Sequence, residues 1–314
     1  MKPIHFLILV GICLIWGLHF TVIKVAVSEV SPTFYAALRM MTVAVLLSPM
    51  LKWHEGQMGR IAVTGLGFGG LNYVFWFSGI QYIPASLGAL VLEAYVPLAT
   101  ILSVIIVKEK IGWPRITGIA LAVIGVIIVI LSGKDLTPSD KWALGAALVL
   151  CGAFSEALGV VTAKTIKGVS SFELLAWFGI FGGSAAVAIM FATGGPQFEI
   201  FAGPERWIVL GALAYSVLGA SFTGQGAYFW LIQRVDVSQV AGATVMATLF
   251  AVVFGVVLLG EPMSLQFIIG AVITLVGVYI IVMRSNRKTE DDITPTPPVE
   301  VVPGVTEEQE EAKP

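Results

Sequence analysis

Charge is scarce in this sequence. The 314 residues include 18 bases and 20 acids, 12% of the chain, beside 57% hydrophobic residues. A soluble domain carries about a quarter charged residues. That shortage excludes a disordered chain and argues strongly against a water-soluble enzyme. Cysteine is scarce too. Cys13 and Cys151 both lie in apolar runs without ligand spacing, which excludes a disulfide framework or a zinc cluster. No Gly-x4-Gly-Lys-Ser/Thr phosphate loop is present, so ATP is not expected to be hydrolysed by this chain. Neither a cofactor nor a metal nor a nucleic-acid partner is expected.

Apolar sequence is abundant, and mean hydropathy is +0.91. A helix needs about 20 apolar residues to cross a bilayer core. Ten such runs are found, at 4–27, 32–51, 61–80, 85–107, 113–131, 142–163, 171–193, 207–230, 237–259 and 264–283. They do not alternate as barrel strands would. The first passes through Trp16-Gly17-Leu18-His19-Phe20 without a small-residue cleavage site, so it is expected to be retained rather than removed as a signal peptide. The fold class is therefore an all-α membrane protein.

The few charges orient the spans. With the N-terminus inside, the cytoplasmic side collects 13 Lys and Arg, and the opposite side holds Lys24, Lys134, Lys141 and Arg206. This bias predicts a multi-pass protein of the inner or plasma membrane with both termini cytoplasmic. Trp53, Trp113, Trp142 and Trp207 fall at span ends, where indole rings anchor in the headgroup region.

The chain also repeats itself. At an offset of 152, Ile83-Pro84-Ala85-Ser86 aligns with Val235-Asp236-Val237-Ser238, Gln81 with Gln233, Glu109 with Glu261, Gly118 with Gly270 and Gly125 with Gly277. Nearer the start of each half the offset falls to about 140, pairing Lys24 with Lys164 and Ser31 with Ser171. Five spans per half is an odd number, so the second half is inverted relative to the first. Inverted repeats are the architecture of secondary transporters. The expected units are residues 1–137 (spans 1–5), 138–283 (spans 6–10) and a mobile acidic cytoplasmic tail, 284–314.

Trp16-Gly17, Ala37-Leu38-Arg39, Ile83-Pro84-Ala85-Ser86, Glu109 with Gly118 and Gly125, and Gly260-Glu261-Pro262 with Gly270 and Gly277 resemble the EamA-domain branch of the drug/metabolite transporter superfamily. The resemblance covers roughly residues 5–283. It implies ten helices, a central cavity lined by spans 1–4 and 6–9, peripheral spans 5 and 10, and export of amino acids, other metabolites or drugs.

Ionisable groups at membrane depth are functional candidates, and intramembrane carboxyls form proton relays. Glu93 in span 4 and Glu156 in span 6 are candidates for proton coupling or for binding a cationic solute. Arg39 in span 2 lies at a depth that could pair with Glu93 or bind a substrate carboxylate. His19, whose type titrates near physiological pH, shares a face of span 1 with Trp16. Asn72 and Trp76 share a face of span 3. Trp177, Tyr228 or Trp230 could add rings from the second half, making walls suited to apolar, aromatic or cationic molecules. Gln225, Thr244 and Thr248 are candidate hydrogen-bonding groups. Pro97, four residues after Glu93, breaks the ladder of span 4 and is a candidate hinge. The reading is a proton-coupled exporter of small organic solutes working by alternating access. An uncoupled facilitative carrier remains open, as do an intramembrane enzyme and a membrane sensor.

Overall fold

A computed structural model describes residues 3–137, 139–232, 234–235 and 245–291, with side chains for all except 229, 232 and 284–291. Among the described residues, nine helices are long and apolar enough to cross a membrane: α1 Pro3–Glu29, α2 Pro32–Met50, α3 Met58–Ile80, α4 Ala85–Val107, α5 Trp113–Leu136, α6 Trp142–Ala163, α7 Ser171–Ala192, α8 Arg206–Tyr228 and α10 Leu265–Met283. Between α8 and α10 lies the shorter apolar helix α9, Val245–Leu259. Among the described residues there is no strand. The helix of α10 runs on to Asp291, so the first residues assigned to a mobile tail are helical. No proline or glycine interrupts the sequence between Met283 and Pro295. Residues 292–314, the rest of that tail, lie outside the described residues.

Local chemistry sets the helix starts. Ser31 is extended and its hydroxyl accepts from the Phe34 amide at 3.3 Å, with Pro32 in the first helical position of α2. Ser170 does the same for α7, accepting from Glu173 at 3.2 Å. The capping serine of the second half is thus one residue earlier than the offset of 140 implies. Trp53, Trp113 and Trp207 are exposed at span ends, as anchors require, whereas Trp142 leans on Gly133 and is partly buried.

The packing repeats the inversion. α1 packs on α9 as α6 packs on α4, α3 on α6 as α8 on α1, and α5 on α10. The α5–α10 pair is extensive, and its glycines explain why. A Cβ on Gly118 would stand 2.9 Å from the Gly277 carbonyl, and one on Gly270 2.9 Å from the Val129 amide. Bare backbones can approach where larger residues cannot. The glycines of α3 serve the same purpose: Gly67 abuts the backbone of Ser155 and Gly159 in α6, and Gly70 abuts Gly182 in α7. Both α3 and α8 contain a π-helical stretch, Gly65–Leu71 and Tyr215–Gln225. Such widened turns are frequent at functional sites.

Candidate functional site

Two polar clusters lie inside the bundle. The first is acidic and sits where α4 breaks. The α-helical turns Ala85–Leu92 and Tyr95–Leu102 are separated at Glu93 and Ala94. Pro97 has no N–H to offer the Glu93 carbonyl four residues back, and that carbonyl accepts from Val96 instead, at 3.0 Å. The Glu93 carboxyl accepts from the Thr248 hydroxyl of α9. From α6, the Glu156 Oε2 accepts from Asn72 Nδ2 of α3 at 3.2 Å, while Asn72 Oδ1 is buried without a partner. Each carboxyl is thus held from the opposite half, Glu93 by Thr248 and Glu156 by Asn72. Neither glutamate is sealed. Both are half-buried.

The second cluster joins α1, α2, α3 and α8. Ser216 sits at its centre, 3.0 Å from His19 Nε2 and 2.9 Å from the Tyr35 hydroxyl. The His19 ring lies edge-on to Trp76 and stacked near Tyr215, whose hydroxyl donates to the Ile15 carbonyl at 2.8 Å. The Arg39 guanidinium lies 4.2 Å over the Tyr73 ring and donates weakly to Ser221, at 3.4 Å. One helical turn from His19 along α1, the Trp16 indole donates to the Ala220 carbonyl at 3.2 Å and packs on Tyr228. Gly224 makes room for it: a Cβ there would stand 2.6 Å from the indole nitrogen.

The ends of the bundle differ. At one end, Lys24 of α1 donates to the Ile83 carbonyl at 2.9 Å and to that of Ile80, while the Glu261 carboxylate accepts from the Ala85 and Ser86 amides, the latter at 2.9 Å. The tight connection between α3 and α4 is thereby gripped from both sides. A carboxylate at a helix N-terminus meets unpaired N–H groups and a favourable dipole. An open cavity of about 500 Å³ lies over this connection, lined in part by Lys24, Gln81, Pro84 and Glu261. At the other end, Glu109 accepts from Arg115 at 2.7 Å and from Ser103 at 2.8 Å, with Lys164 at 3.8 Å. Burial alone would push the Glu109 carboxyl up, but the donors Arg115 and Ser103, with the nearby Lys164 charge, hold it below the ordinary carboxylate value.

A transporter-family model matches this chain twice, over residues 3–131 and 143–283, one match for each half. The chain belongs to the EamA-like transporter family. Relatives of this EamA-like chain include the "Probable amino-acid metabolite efflux pump" of Salmonella typhimurium (strain LT2), 28% identical over 86% of this chain and 91% of that protein. The protein of the same name in Escherichia coli (strain K12) is also 28% identical over the same shares. An "Uncharacterized transporter" of Archaeoglobus fulgidus is 23% identical over 86% of this chain and 95% of that protein. A solved structure with 18% identity shares the fold over 92% of this chain and all of its own, at a TM-score of 0.56.

The EamA-like bundle brings most of the expected residues together, with corrections. Arg39 forms no ion pair with Glu93 among the described residues; it turns to Tyr73 and Ser221 instead. Equal depth fixes height in the membrane but not the direction a side chain leaves its helix. Trp76 is 4% exposed in this arrangement and packs on Phe20 and Phe77. Trp177 donates to the Lys52 carbonyl and stacks on Phe181, at the loop end of α7. Trp230 is exposed beside His5. Gln225 is half-buried at the end of the π-helical stretch of α8, and Thr244 lies outside the described residues. Tyr95, Ser216 and Ser221 were not anticipated. Serine and tyrosine are common in membrane helices, and nothing in their spacing marks these three. Glu261 is legible as a repeat position and within the Gly260-Glu261-Pro262 motif, but not as a cap for the Pro84-Ala85-Ser86 helix start.

Proposed function

We propose that the chain exports a small amphipathic organic solute, an amino acid, a related metabolite or a cationic drug, by alternating access driven by proton exchange. The observation that carries this reading is the pair Glu93 and Glu156. One stands on a broken helix of the first half and the other on α6 of the second, both half-buried and each hydrogen-bonded to a residue of the opposite half. Acids at membrane depth are the usual carriers of protons in secondary transporters, and inverted halves place such groups at their interface. The aromatic neighbours Trp16, Tyr95 and Tyr228 suit a solute with an apolar or cationic part. The two relatives named as amino-acid metabolite efflux pumps support this substrate class.

In this reading the protein lies in the cell membrane with both termini cytoplasmic. The grip of Lys24 and Glu261 on the α3–α4 connection closes the outer end. Protons entering from outside neutralise the carboxyls, and the solute leaves as they bind. Proteoliposome flux with and without a pH gradient tests the scheme. An imposed gradient is expected to speed solute movement at least tenfold. Glu93→Gln and Glu156→Gln are expected to remove that response. Flux indifferent to the gradient in all three proteins would make this an uncoupled carrier and overturn proton exchange.

A further inference from the structure

The Arg39 guanidinium is a charge without a counter-charge. It is 4% exposed, and its Nε and Nη1 have no hydrogen-bond partner. Among the described residues no carboxylate forms a salt bridge with it. Its bond to Ser221, at 3.4 Å, is near the limit of a hydrogen bond. The Tyr73 ring offsets part of the charge. Arginine does not shed its proton in proteins, so it cannot escape by neutralising. Buried polar groups in folded proteins are almost always paired, and an unpaired buried cation is strongly unfavourable.

A second orphan stands nearby. The Trp76 indole N–H is buried without an acceptor, and its ring touches both His19 and Tyr73. The unpaired atoms of Arg39 and Trp76 are all donors, two on a planar cationic fork and one on an indole. That is the chemistry that receives an oxyanion.

We propose that Arg39, with Trp76 beside it, receives the carboxylate of the transported solute. The inference rests on the exporter reading and narrows its substrate class to carboxylate-bearing solutes. Access comes with movement of the halves. Arg39 itself is tied to α8 of the second half by a weak bond to Ser221, and movement of α8 away from α2, which also breaks the Ser216 bond to Tyr35, uncovers the fork. The same helix that carries Tyr73 and Trp76 carries Asn72, which holds Glu156. A zwitterion can thus place its acid at Arg39 and its amine toward the glutamates.

The test uses three matched probes with the full chain: phenylalanine, phenylalaninamide, which lacks the carboxylate, and 3-phenylpropionate, which lacks the amine. In proteoliposomes, Arg39→Gln is expected to lower phenylalanine flux at least tenfold while phenylalaninamide flux stays within twofold. Arg39→Lys, which keeps the charge but not the fork, is expected to fall between. Equal loss of both fluxes, or loss of neither, would overturn the inference while leaving the exporter reading standing. No flux of any probe by the unsubstituted protein would overturn both. A second measurement needs no variant. 3-Phenylpropionate is expected to raise the heat-unfolding midpoint of the purified protein, and 3-phenylpropanamide is not. Equal shifts by the two would also overturn the assignment.

Discussion

The fourth helix of each half ends in the same way, and the two ends are used differently. α4 finishes at Lys108 and α9 at Gly260, both in the left-handed conformation (φ 58° and 66°). In each, the next amide reaches six residues back, Glu109 to the Ser103 carbonyl and Glu261 to that of Gly255, both at 3.2 Å. The turn is the same; the glutamate it delivers is not. Gly255 leaves room beside it, and Glu261 crosses to the opposite half to cap α4. Ser103 occupies the equivalent place and keeps Glu109 by its own helix, along with Arg115. The turn and its glutamate repeat in register, while the two ends of the bundle are arranged differently. A symmetric design held in an asymmetric arrangement is what a molecule with two interchangeable states requires.

That comparison can be broken at several points. Glu261→Ala removes two charge-assisted hydrogen bonds to backbone amides and is expected to cost about 3 kcal/mol, read as a lowered unfolding midpoint in detergent. Gly255→Ser copies the first half into the second. Its new side chain meets the Glu261 carboxylate and should cost about 2 kcal/mol by overpacking, with faster hydrogen exchange at Ala85 and Ser86.

At the other end the effects are smaller. The Glu109 carboxyl is held below its ordinary value, so its contribution to stability is complete above the unfolded-state pKa. That contribution is lost as pH falls through the folded one. Glu109→Gln is expected to flatten the acid limb of an unfolding-midpoint series below pH 5, by about 1 kcal/mol for a partly exposed pair. Lys108→Gly relieves a non-glycine residue of left-handed backbone and should stabilise the protein by about 1 kcal/mol. The same substitution makes the two turns identical.

Much of the fold was legible because the bilayer imposes a length on every span. The runs at 85–107 and 142–163 match their helices residue for residue, since Pro84, Trp142 and the flanking lysines mark real chain reversals. Past Met283 the sequence loses apolarity but not helix, since backbone hydrogen bonding along a helix does not require apolar side chains. In the interior, Glu93 and Glu156 were legible because acids are costly there and stand out from apolar sequence. Their direct partners were mixed. Asn72 and Thr248 appeared among the candidates, but nothing tied either to its glutamate. The partner of Arg39 was not legible, because depth along a helix carries no information about azimuth. Hydroxyls such as Ser216 stay silent in a sequence, since a serine that joins two helices reads like a serine that bonds its own turn.

Ser216 has a consequence of its own. Its hydroxyl carries one hydrogen, yet it lies between His19 and Tyr35, so it can donate to one of them and must accept from the other. If Tyr35 gives its hydrogen to Ser216, Ser216 is free to donate to an unprotonated His19 Nε2. If His19 donates, the hydroxyl can turn toward Tyr35. The tautomer of an imidazole on the first helix is thus tied to the rotor of a phenol on the second, through a single shared atom on the eighth.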